Sequence, residues 1–539
     1  MTDKADNYNL LVKPWIPILW THGKPERVSI RTALIEAGRI RQIAASNPMD
    51  NVALLRFLLV VLQWCKSSLT GADRERLERE GGVPDDWLKE NLGGDKEPNR
   101  EFDLLTDKGG FYQDASAEGP KVAVTNLLHD LPSGSKIAHF RHTRDGRDGM
   151  CLPCCALGLA RWPGVASAGT AGRGQSMTAS LNGNAPAYSV HVGANLLCTF
   201  LLTWPSPLAV KGDAPVWHGA NEQSPLGFLK GMTWRSRCVL LAPPHADGKR
   251  DLSPGRCCYC AEPTDRLVRW IRFRPGWARP SKEPWPDDPH LLRVSRKDAR
   301  SAKEKNIVPS CPNPNEPLEE HAGVWRSLLE GHLRRPAGSD TGTREFHTTL
   351  LANSQALYKH AATHTTTLPE MGSGVRRRLL TEMEWLRKLT QGTASAQARN
   401  WGDPPRGHFV IGALCAPRAK GHAIRSGLCA LSPPAERELE SSFFKLMHRL
   451  AICDQTDSDV QGQVLGEWRD EALRIIGRHV RQVVDSTTAG SPLRRREAAE
   501  MARQMLNQAI EKLAANDMKA ANPATGKKPK REPRKRGRA

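Results

Sequence analysis

The chain has 539 residues, of which 39% are hydrophobic, and a formal net charge of +20. The hydrophobic fraction is that of a folded protein and excludes a fully disordered chain, while the length predicts two to four structural units. The longest apolar run, from Val52 to Trp64, is interrupted by Arg56 and is shorter than the roughly 20 residues of a bilayer span. It predicts a buried helix, and because no signal-peptide pattern precedes it we expect a cytoplasmic protein that does not contact a membrane.

The positive charge is spread over the body of the chain as well as its end. The last 13 residues, KKPKREPRKRGRA, carry a net charge of +7, so residues 1–526 retain +13. A basic folded body favours contact with a polyanion, and nucleic acid is the commonest partner of that kind. A gain in solubility is the alternative role for this charge. The Pro- and Lys-rich end is typical of a disordered tail.

The pattern of hydrophobic residues changes near residue 370. Before it, short apolar runs alternate with Gly, Pro and Asp, which favours a mixed α and β domain with long loops. After it, four segments have helical periodicity, and the second opens with the helix-start pair Ser432 and Pro433: 374–389, 432–454, 464–484 and 491–513. The sequence therefore predicts an α+β protein in three parts: a large mixed N-terminal domain (1–369), a C-terminal four-helix bundle (370–517) and a disordered basic tail (518–539).

Two pairs of cysteines in the N-terminal part have metal-ligand spacing. Cys151 and Cys154 form one C-x-x-C knuckle, and Cys257 and Cys260 form another. Two thiolates at this spacing reach one tetrahedral ion from a single turn, so the two knuckles together predict a structural Zn²⁺ site. The knuckles lie much farther apart than the roughly 15 to 20 residues of a compact zinc ribbon. The metal would therefore pin distant segments of the chain together.

The cysteine pattern also allows two roles without a metal. The CLPC pair suits a redox dithiol, although we expect no strand and long helix of the thioredoxin type around it. Unligated core cysteines are the second such role. Cys155 and Cys258 lie next to the knuckles and leave the ligand set open by one position. A disulfide framework is disfavoured, because 13 cysteines are scattered over a long chain without a secretion signal.

Two further segments have the composition of nucleic-acid contacts. Residues 166–184 are small, polar and rich in glycine, so their backbone N–H groups can approach a ligand closely. Residues 266–280 alternate arginines with Trp270, Phe273 and Trp277, which favours phosphate and groove contacts on a strand-like hairpin; a solvated hairpin face is the alternative. We find no motif for hydrolytic, nucleotide-binding or two-metal catalysis. The sequence thus favours a binding subunit over an enzyme.

Six pieces of the sequence, taken in order, resemble the CasA family: NLLVKPWIPILW at 9–20, GGFYQ at 109–113, the first knuckle, PLGFLKGMTW at 225–234, the second knuckle, and LLANSQALYKHAATHTTTLP at 350–369. CasA proteins are the large subunits of the type I-E Cascade complex of CRISPR immunity. The resemblance covers the chain except its basic tail. It implies a non-catalytic protein whose partners are the other Cascade subunits, the crRNA, double-stranded target DNA and a helicase-nuclease.

The resemblance also implies roles for individual residues. A glycine loop reads the protospacer-adjacent motif in the minor groove, and a basic residue after the second knuckle enters the same groove, where an Arg replaces the family's Lys. A glutamine wedge splits the first base pairs to start the R-loop, and an aromatic residue touches the crRNA handle. The matching residues are Gly172, Arg173, Gly174 and Gln175 for the loop, Arg272 or Arg274 for the basic residue, Gln355 with Ser354 and Ala356 for the wedge, and Phe140 for the handle.

Three functions follow as hypotheses. The chain is the large subunit of Cascade, or a free-standing basic zinc-containing nucleic-acid-binding protein, or a thiol oxidoreductase. Under the first hypothesis, protein contacts open the duplex locally and guide pairing then reads the sequence. Because the minor groove presents a degenerate pattern of hydrogen-bonding groups, tolerance of several flanking motifs is expected. The metal would hold the parts that read the duplex in register.

Overall fold

The computed structural model divides the chain into two compact units, one formed by Met1–His321 and Pro336–Glu370 and the other by Ala322–Arg335 and Met371–Ala539. The residues that the structure describes are 7–106, 110–118, 121–128, 149–166, 169–171, 175–177, 180–182, 186–204, 210–245, 250–278, 288–291, 293–297, 305–309, 344–353, 359–368, 371–391, 433–453 and 458–487.

The first unit mixes helices with short strands. Its helices are α1 (Ile30–Ile35), α2 (Pro48–Cys65), α3 (Gly71–Glu80), α4 (Asp85–Leu92), α5 (Leu152–Val165), α6 (Leu196–Thr203) and α7 (Phe228–Met232). Its first strands are β1 (Ile16–Trp20), β2 (Pro25–Val28), β3 (Ile40–Ile43), β4 (Lys121–Ala123), β5 (Met150–Cys151), β6 (Gly169–Ala171), β7 (Gln175–Met177) and β8 (Ala187–Val192). The later strands are β9 (Arg237–Leu241), β10 (Leu252–Arg256), β11 (Pro263–Val268), β12 (Trp270–Pro275), β13 (Arg293–Lys297), β14 (Lys305–Pro309), β15 (Arg344–Asn353) and β16 (Lys359–Leu368).

The described strands form small antiparallel sheets. Their orders are β2-β1-β3, β10-β11-β5, β4-β12-β9, β16-β15-β8, and the two-stranded β13-β14 and β6-β7. The predicted mixed α and β character is confirmed. The predicted hairpin at 266–280 is wrong, because β11 and β12 follow each other along the chain but belong to different sheets. Leu267, Val268 and Ile271 are buried, so the chain passes through the core at this point and does not lie on a solvated face.

The core of this unit is organised around α2, the helix predicted from the apolar run. Asn47 caps it by accepting a hydrogen bond from the backbone of Met49, and Pro48 occupies its first turn. Among the described residues it alone is long and apolar enough to cross a bilayer, yet 72% of its residues are buried within the protein. The predicted buried helix is therefore confirmed as the central helix of a folded core.

Pieces of the sequence that resemble the CasA family meet in this core. Trp15 of the opening motif packs against Phe57 of α2 and against Phe111 of the GGFYQ motif, with ring centroids 5.7 and 5.5 Å apart. Phe57 also contacts Phe111 at 5.2 Å and Trp217 at 5.6 Å. Tilted and edge-on aromatic pairs at these distances stabilise a core beyond the area they bury.

The described part of the second unit is helical. Its helices are α8 (Ser373–Gln391), α9 (Pro433–Ile452) and α10 (Ser458–Thr487). Trp468 of α10 lies at its centre, 5.7 Å from Trp385 of α8 and 5.3 Å from Phe443 of α9 between ring centroids. Arg469 also donates two hydrogen bonds of 2.7 Å to the buried Glu382. Three of the predicted helices are confirmed, whereas the fourth, at 491–513, and the basic tail lie outside the described residues.

Candidate metal centre and nucleic-acid interface

The four knuckle cysteines converge in the first unit. The sulfur atoms of Cys151, Cys154, Cys257 and Cys260 all lie within 4.8 Å of one another, and those of Cys151 and Cys260 are 3.7 Å apart. A disulfide needs a distance of about 2.05 Å between sulfurs. Four sulfurs bound to one Zn²⁺ at about 2.3 Å are about 3.8 Å apart. The donor set and its spacing therefore fit a closed tetrahedral zinc site of the structural kind.

Local structure brings the first two ligands to one place. Cys151 ends β5 and is the N-cap residue of α5, and Cys154 lies in the first turn of that helix, with Pro153 between them. The positive end of the helix dipole favours thiolates at this position. We expected no strand and long helix around the first knuckle, which counted against a redox dithiol; β5 and α5 show that this expectation is wrong. The four-sulfur cluster nevertheless accounts for both knuckles, which a dithiol at the first does not.

The second knuckle is a tight turn that enters β11. The backbone of Tyr259 donates a 3.4 Å hydrogen bond to the sulfur of Cys257, and Ala261 donates one of 2.9 Å to the Cys257 carbonyl. Ala261 has a φ of 62°, in the left-handed region that closes such turns. The paired strands β5 and β11 place Cys151 opposite Leu267, so the two knuckles lie at one end of the same sheet.

The neighbouring cysteines take other places. Cys155 is fully buried, and its thiol donates a 3.8 Å hydrogen bond to the carbonyl of Met150. Cys258 is exposed. The sequence left open whether Cys155 or Cys258 replaces a neighbouring ligand. The structure brings together a different set, which is Cys151, Cys154, Cys257 and Cys260.

The electrostatics of the cluster favour a cation. The pKa of the Cys154 thiol lies well above its usual range. The largest cause is its hydrogen bond to Cys151, followed by those to Cys257 and Cys260. Its hydrogen bond to Cys260 lowers the pKa of that thiol to about 6. The guanidinium of Arg27 on β2 also hydrogen-bonds to Cys260. Thiols whose pKa values are shifted in opposite directions thus lie in contact, and a divalent metal, which binds thiolates, would displace their protons.

Helix α5 connects the cysteine cluster to the two segments with nucleic-acid composition. Its last turn leads into the hairpin of β6 and β7, in which Gly169 pairs with Met177. Trp162, also in that turn, contacts Phe273 of β12 with ring centroids 5.5 Å apart. Cα atoms of β7 and β12 approach within 8 Å. The glycine-rich hairpin and the arginine-rich strand are therefore neighbours on one scaffold.

The two arginines left open by the sequence have different surroundings on β12. Arg274 forms an ion pair of 3.2 Å with Asp114 and a hydrogen bond of 3.4 Å to Ser116. Among the described residues, Arg272 has no ion pair or side-chain hydrogen bond. It lies directly opposite Lys121 of the edge strand β4, which is exposed and also has no such partner there.

A buried polar network lies where the glycine-rich segment begins and ends. Arg56 of α2 forms a 2.9 Å ion pair with Asp288, and the exposed fractions of the two side chains are 3% and 2%. Asn182, near the end of the segment, donates hydrogen bonds to Tyr188 at 3.0 Å and to Asp288 at 3.3 Å. The Tyr188 hydroxyl donates one of 2.6 Å to the carbonyl of Gly164, just before the segment. Both ends of the glycine-rich segment are thereby fixed to the central helix.

The segments 172–174 and 354–356 and the residue Phe140 lie outside the described residues. Gln175 opens β7. The wedge residues fall in the sequence between β15 and β16, which pair up to Asn353 and Lys359.

Other residues around the site were missed by reasoning from the sequence. Lys121 and Arg27 belong to no motif, Arg161 lies inside an otherwise apolar stretch, and Asp50 lies just before the apolar run that begins at Val52. One signal in the sequence could have pointed to Arg161: a charged residue within a buried apolar stretch needs a buried partner of opposite charge. It did not identify that partner.

Comparison with known proteins agrees with this architecture. A family model described as CRISPR-associated protein Cse1 matches residues 9–366. The curated CRISPR-associated protein CasA/Cse1 of Thermus thermophilus is 29% identical over 279 residues, which cover 46% of this chain and 52% of that relative. The chain thus matches about half the length of the curated relative.

Solved structures share the fold over nearly the whole chain. The crystal structure of Thermus thermophilus CasA has a TM-score of 0.59 at 18% identity, covering 94% of this chain and 99% of that one. A chain of a CRISPR RNA-guided surveillance complex has a TM-score of 0.55 at 16% identity, covering 93% and 99%. The family resemblance found in the sequence is confirmed. Because the family model spans well over half of its length, the chain belongs to the CRISPR-associated CasA/Cse1 family.

Proposed function

We propose that the chain is the non-catalytic large subunit of a crRNA-guided surveillance complex, the type I-E Cascade. It recognises the protospacer-adjacent motif in the minor groove, opens the target duplex and recruits the helicase-nuclease. The observation that carries the proposal is the family match over 9–366, within which the glycine-rich hairpin and the arginine-rich strand are neighbours. A similar chain occurs in a solved CRISPR RNA-guided surveillance complex, which supports the assignment to a complex of this kind.

Within this proposal, Arg272 is the basic residue that enters the groove. Arg274 is engaged by Asp114, so moving it onto DNA would break an ion pair in which the Asp114 side chain is only 13% exposed. Moving Arg272 onto DNA would break no ion pair with another described residue. Like charges directly opposite each other on neighbouring strands repel, and an anion between Arg272 and Lys121 would remove that repulsion. A phosphate beside the groove supplies this charge.

The remaining roles rest on the resemblance. Gly172, Arg173, Gly174 and Gln175 are the residues that read the motif, and Gln355 is the wedge, with Ser354 and Ala356 beside it in the sequence. Phe140 contacts the crRNA handle, whose unpaired bases favour stacking on aromatic rings.

The proposal extends to the whole chain and its partners. The C-terminal part from residue 370 is a helical domain that includes α8, α9 and α10, and the fourth predicted helix and the basic tail lie outside the described residues. The other Cascade subunits, crRNA and double-stranded DNA bind to this chain in the cytoplasm. The metal is a structural Zn²⁺ held by the four cluster cysteines. It supplies no chemistry beyond fixing α5 and β11 to each other, so that the segments that follow them keep their relative positions.

A second candidate function is a free-standing basic zinc-containing nucleic-acid-binding protein. The net charge of +20 favours it, since charge alone supports binding without motif or guide. The two candidates differ in whether binding depends on the flanking motif.

The test compares Arg272→Ala with the matched variant Arg274→Ala in a reconstituted guide complex. Arg274→Ala leaves Asp114 its second partner, Arg235, at 3.3 Å, so the fold is retained. We expect Arg272→Ala to weaken binding to a motif-bearing duplex by about 1.5–3 kcal/mol, the range of a hydrogen bond to a charged group and a factor of about 10 to 150, and Arg274→Ala to leave it unchanged. Equal affinity of both variants and the wild type for motif-bearing and scrambled flanks would favour the free-standing binder.

A further inference from the structure

Tyr259 belongs to the second knuckle but is not a ligand in the cluster. It lies between Cys258 and Cys260, and its side chain reaches out of the turn towards two helices. Its hydroxyl accepts a 2.6 Å hydrogen bond from Arg161 of α5 and donates one of 3.0 Å to Asp50 of α2. The Arg161 guanidinium also lies 5.2 Å from the centre of the Tyr259 ring.

The partners of this hydroxyl are buried charges. The exposed fractions of the Arg161 and Asp50 side chains are 0% and 1%, and the two form an ion pair with a second hydrogen bond of 2.8 Å. Buried ions are stable only when their remaining hydrogen-bonding groups are satisfied. The Tyr259 hydroxyl satisfies one group on each ion, so its position is fixed by both.

The same helix carries Arg161 and the first knuckle. Cys151 caps α5, Cys154 lies in its first turn and Arg161 lies two turns farther along. The hydroxyl contact therefore joins the second knuckle to the helix of the first one through a buried ion pair that needs no metal. The backbone of Tyr259 also donates to the sulfur of Cys257, so fixing this residue orients a ligand directly.

We propose that Tyr259 is a positioning residue of the metal centre: its contact with the Arg161–Asp50 pair holds the second knuckle against α5, so that the four sulfurs converge before a metal binds. The proposal rests on the cysteine cluster and does not depend on DNA recognition. Residues that orient metal ligands change metal affinity by about 10- to 100-fold when they are altered. Preorganisation of this kind acts by reducing the cost of ordering the ligands on binding.

The test uses Tyr259→Phe, which removes one oxygen atom and keeps the ring. The matched control is Tyr8→Phe, because the Tyr8 hydroxyl also donates a hydrogen bond, of 2.9 Å to the carbonyl of Pro14, and its ring lies 5.6 Å from the guanidinium carbon of Arg266, a residue outside the two knuckles. Purified full-length proteins are loaded with Zn²⁺, and transfer of the metal to a chromogenic chelator gives the affinity and the release rate. The melting temperature of each metal-free protein is measured in parallel.

We expect Tyr259→Phe to bind Zn²⁺ about 10- to 100-fold more weakly and Tyr8→Phe to bind it as the wild type does. A purely structural role would instead lower the melting temperature of the metal-free protein and leave the Zn²⁺ affinity unchanged. Unchanged affinity in Tyr259→Phe would overturn the proposal, as would a wild-type chain that takes up no Zn²⁺. Neither result tests the proposed DNA-binding function, because that function is measured separately as motif-dependent binding to a duplex.

Discussion

Replacing Asp50 with Asn is expected to destabilise the first unit strongly. The change keeps the shape of the side chain but leaves the Arg161 guanidinium charged, fully buried and without its carboxylate. Removing one partner of a buried ion pair costs about 3–5 kcal/mol. For a cooperative unit of about 350 residues the entropy of unfolding is about 0.7 kcal/mol/K, so the melting temperature is expected to fall by about 4–7 °C.

The matched control is Asp86→Asn. Asp86 accepts two hydrogen bonds from Arg76, of 2.7 and 3.0 Å, but its side chain is 60% exposed. Water and salt screen this pair, so the same chemical change is expected to leave the melting temperature unchanged within error. Differential scanning calorimetry of both variants and the wild type makes the comparison. Equal melting temperatures for the two variants would refute the argument that burial of the Asp50–Arg161 pair decides its contribution.

Three further results are expected. Arg272→Ala should reduce the slope of log affinity against log salt for duplex DNA by about one, whereas Arg274→Ala should not change it, as measured by titrations at several salt concentrations. Metal analysis should find that Cys154→Ser loses the bound Zn²⁺ and that Cys155→Ser retains it. Burial raises the pKa of Asp288, but the charges of Arg56 and His290 and their hydrogen bonds to the carboxylate together outweigh burial and hold the pKa below its ordinary value. A carboxylate with a lowered pKa stabilises the fold above its ordinary pKa and loses that effect as the pH falls through the folded value, so the melting temperature of the wild type should fall more steeply below pH 4 than that of Asp288→Asn.

Local patterns in the sequence predicted the helices well. The apolar run from Val52 to Trp64 lies within α2, and the periodicity at 374–389 lies within α8. These predictions succeed because helical periodicity depends only on residues three and four positions apart in the sequence. The cysteine cluster was predictable for a related reason: each knuckle is local, and few ions other than Zn²⁺ favour four thiolates.

Contacts between distant segments were not predictable from such patterns. Arg161 and Asp50 are 111 positions apart, and nothing near either residue indicates the other. Strand β12 begins two residues after β11 ends but joins a different sheet, because β11 pairs with β10 and β5 whereas β12 pairs with β4 and β9. The exclusion of Cys155 likewise required its position in α5, because its spacing alone is as suitable as that of Cys154.

The most direct test of the account is a gel shift of the guide-loaded complex with and without this chain, on duplexes that carry a candidate flanking motif or a scrambled flank. The account predicts that tight binding requires the chain and the motif together, and that Gln355→Ala weakens it. Binding that is equal for every flank and indifferent to the guide and to Gln355 would contradict the assignment as the targeting subunit.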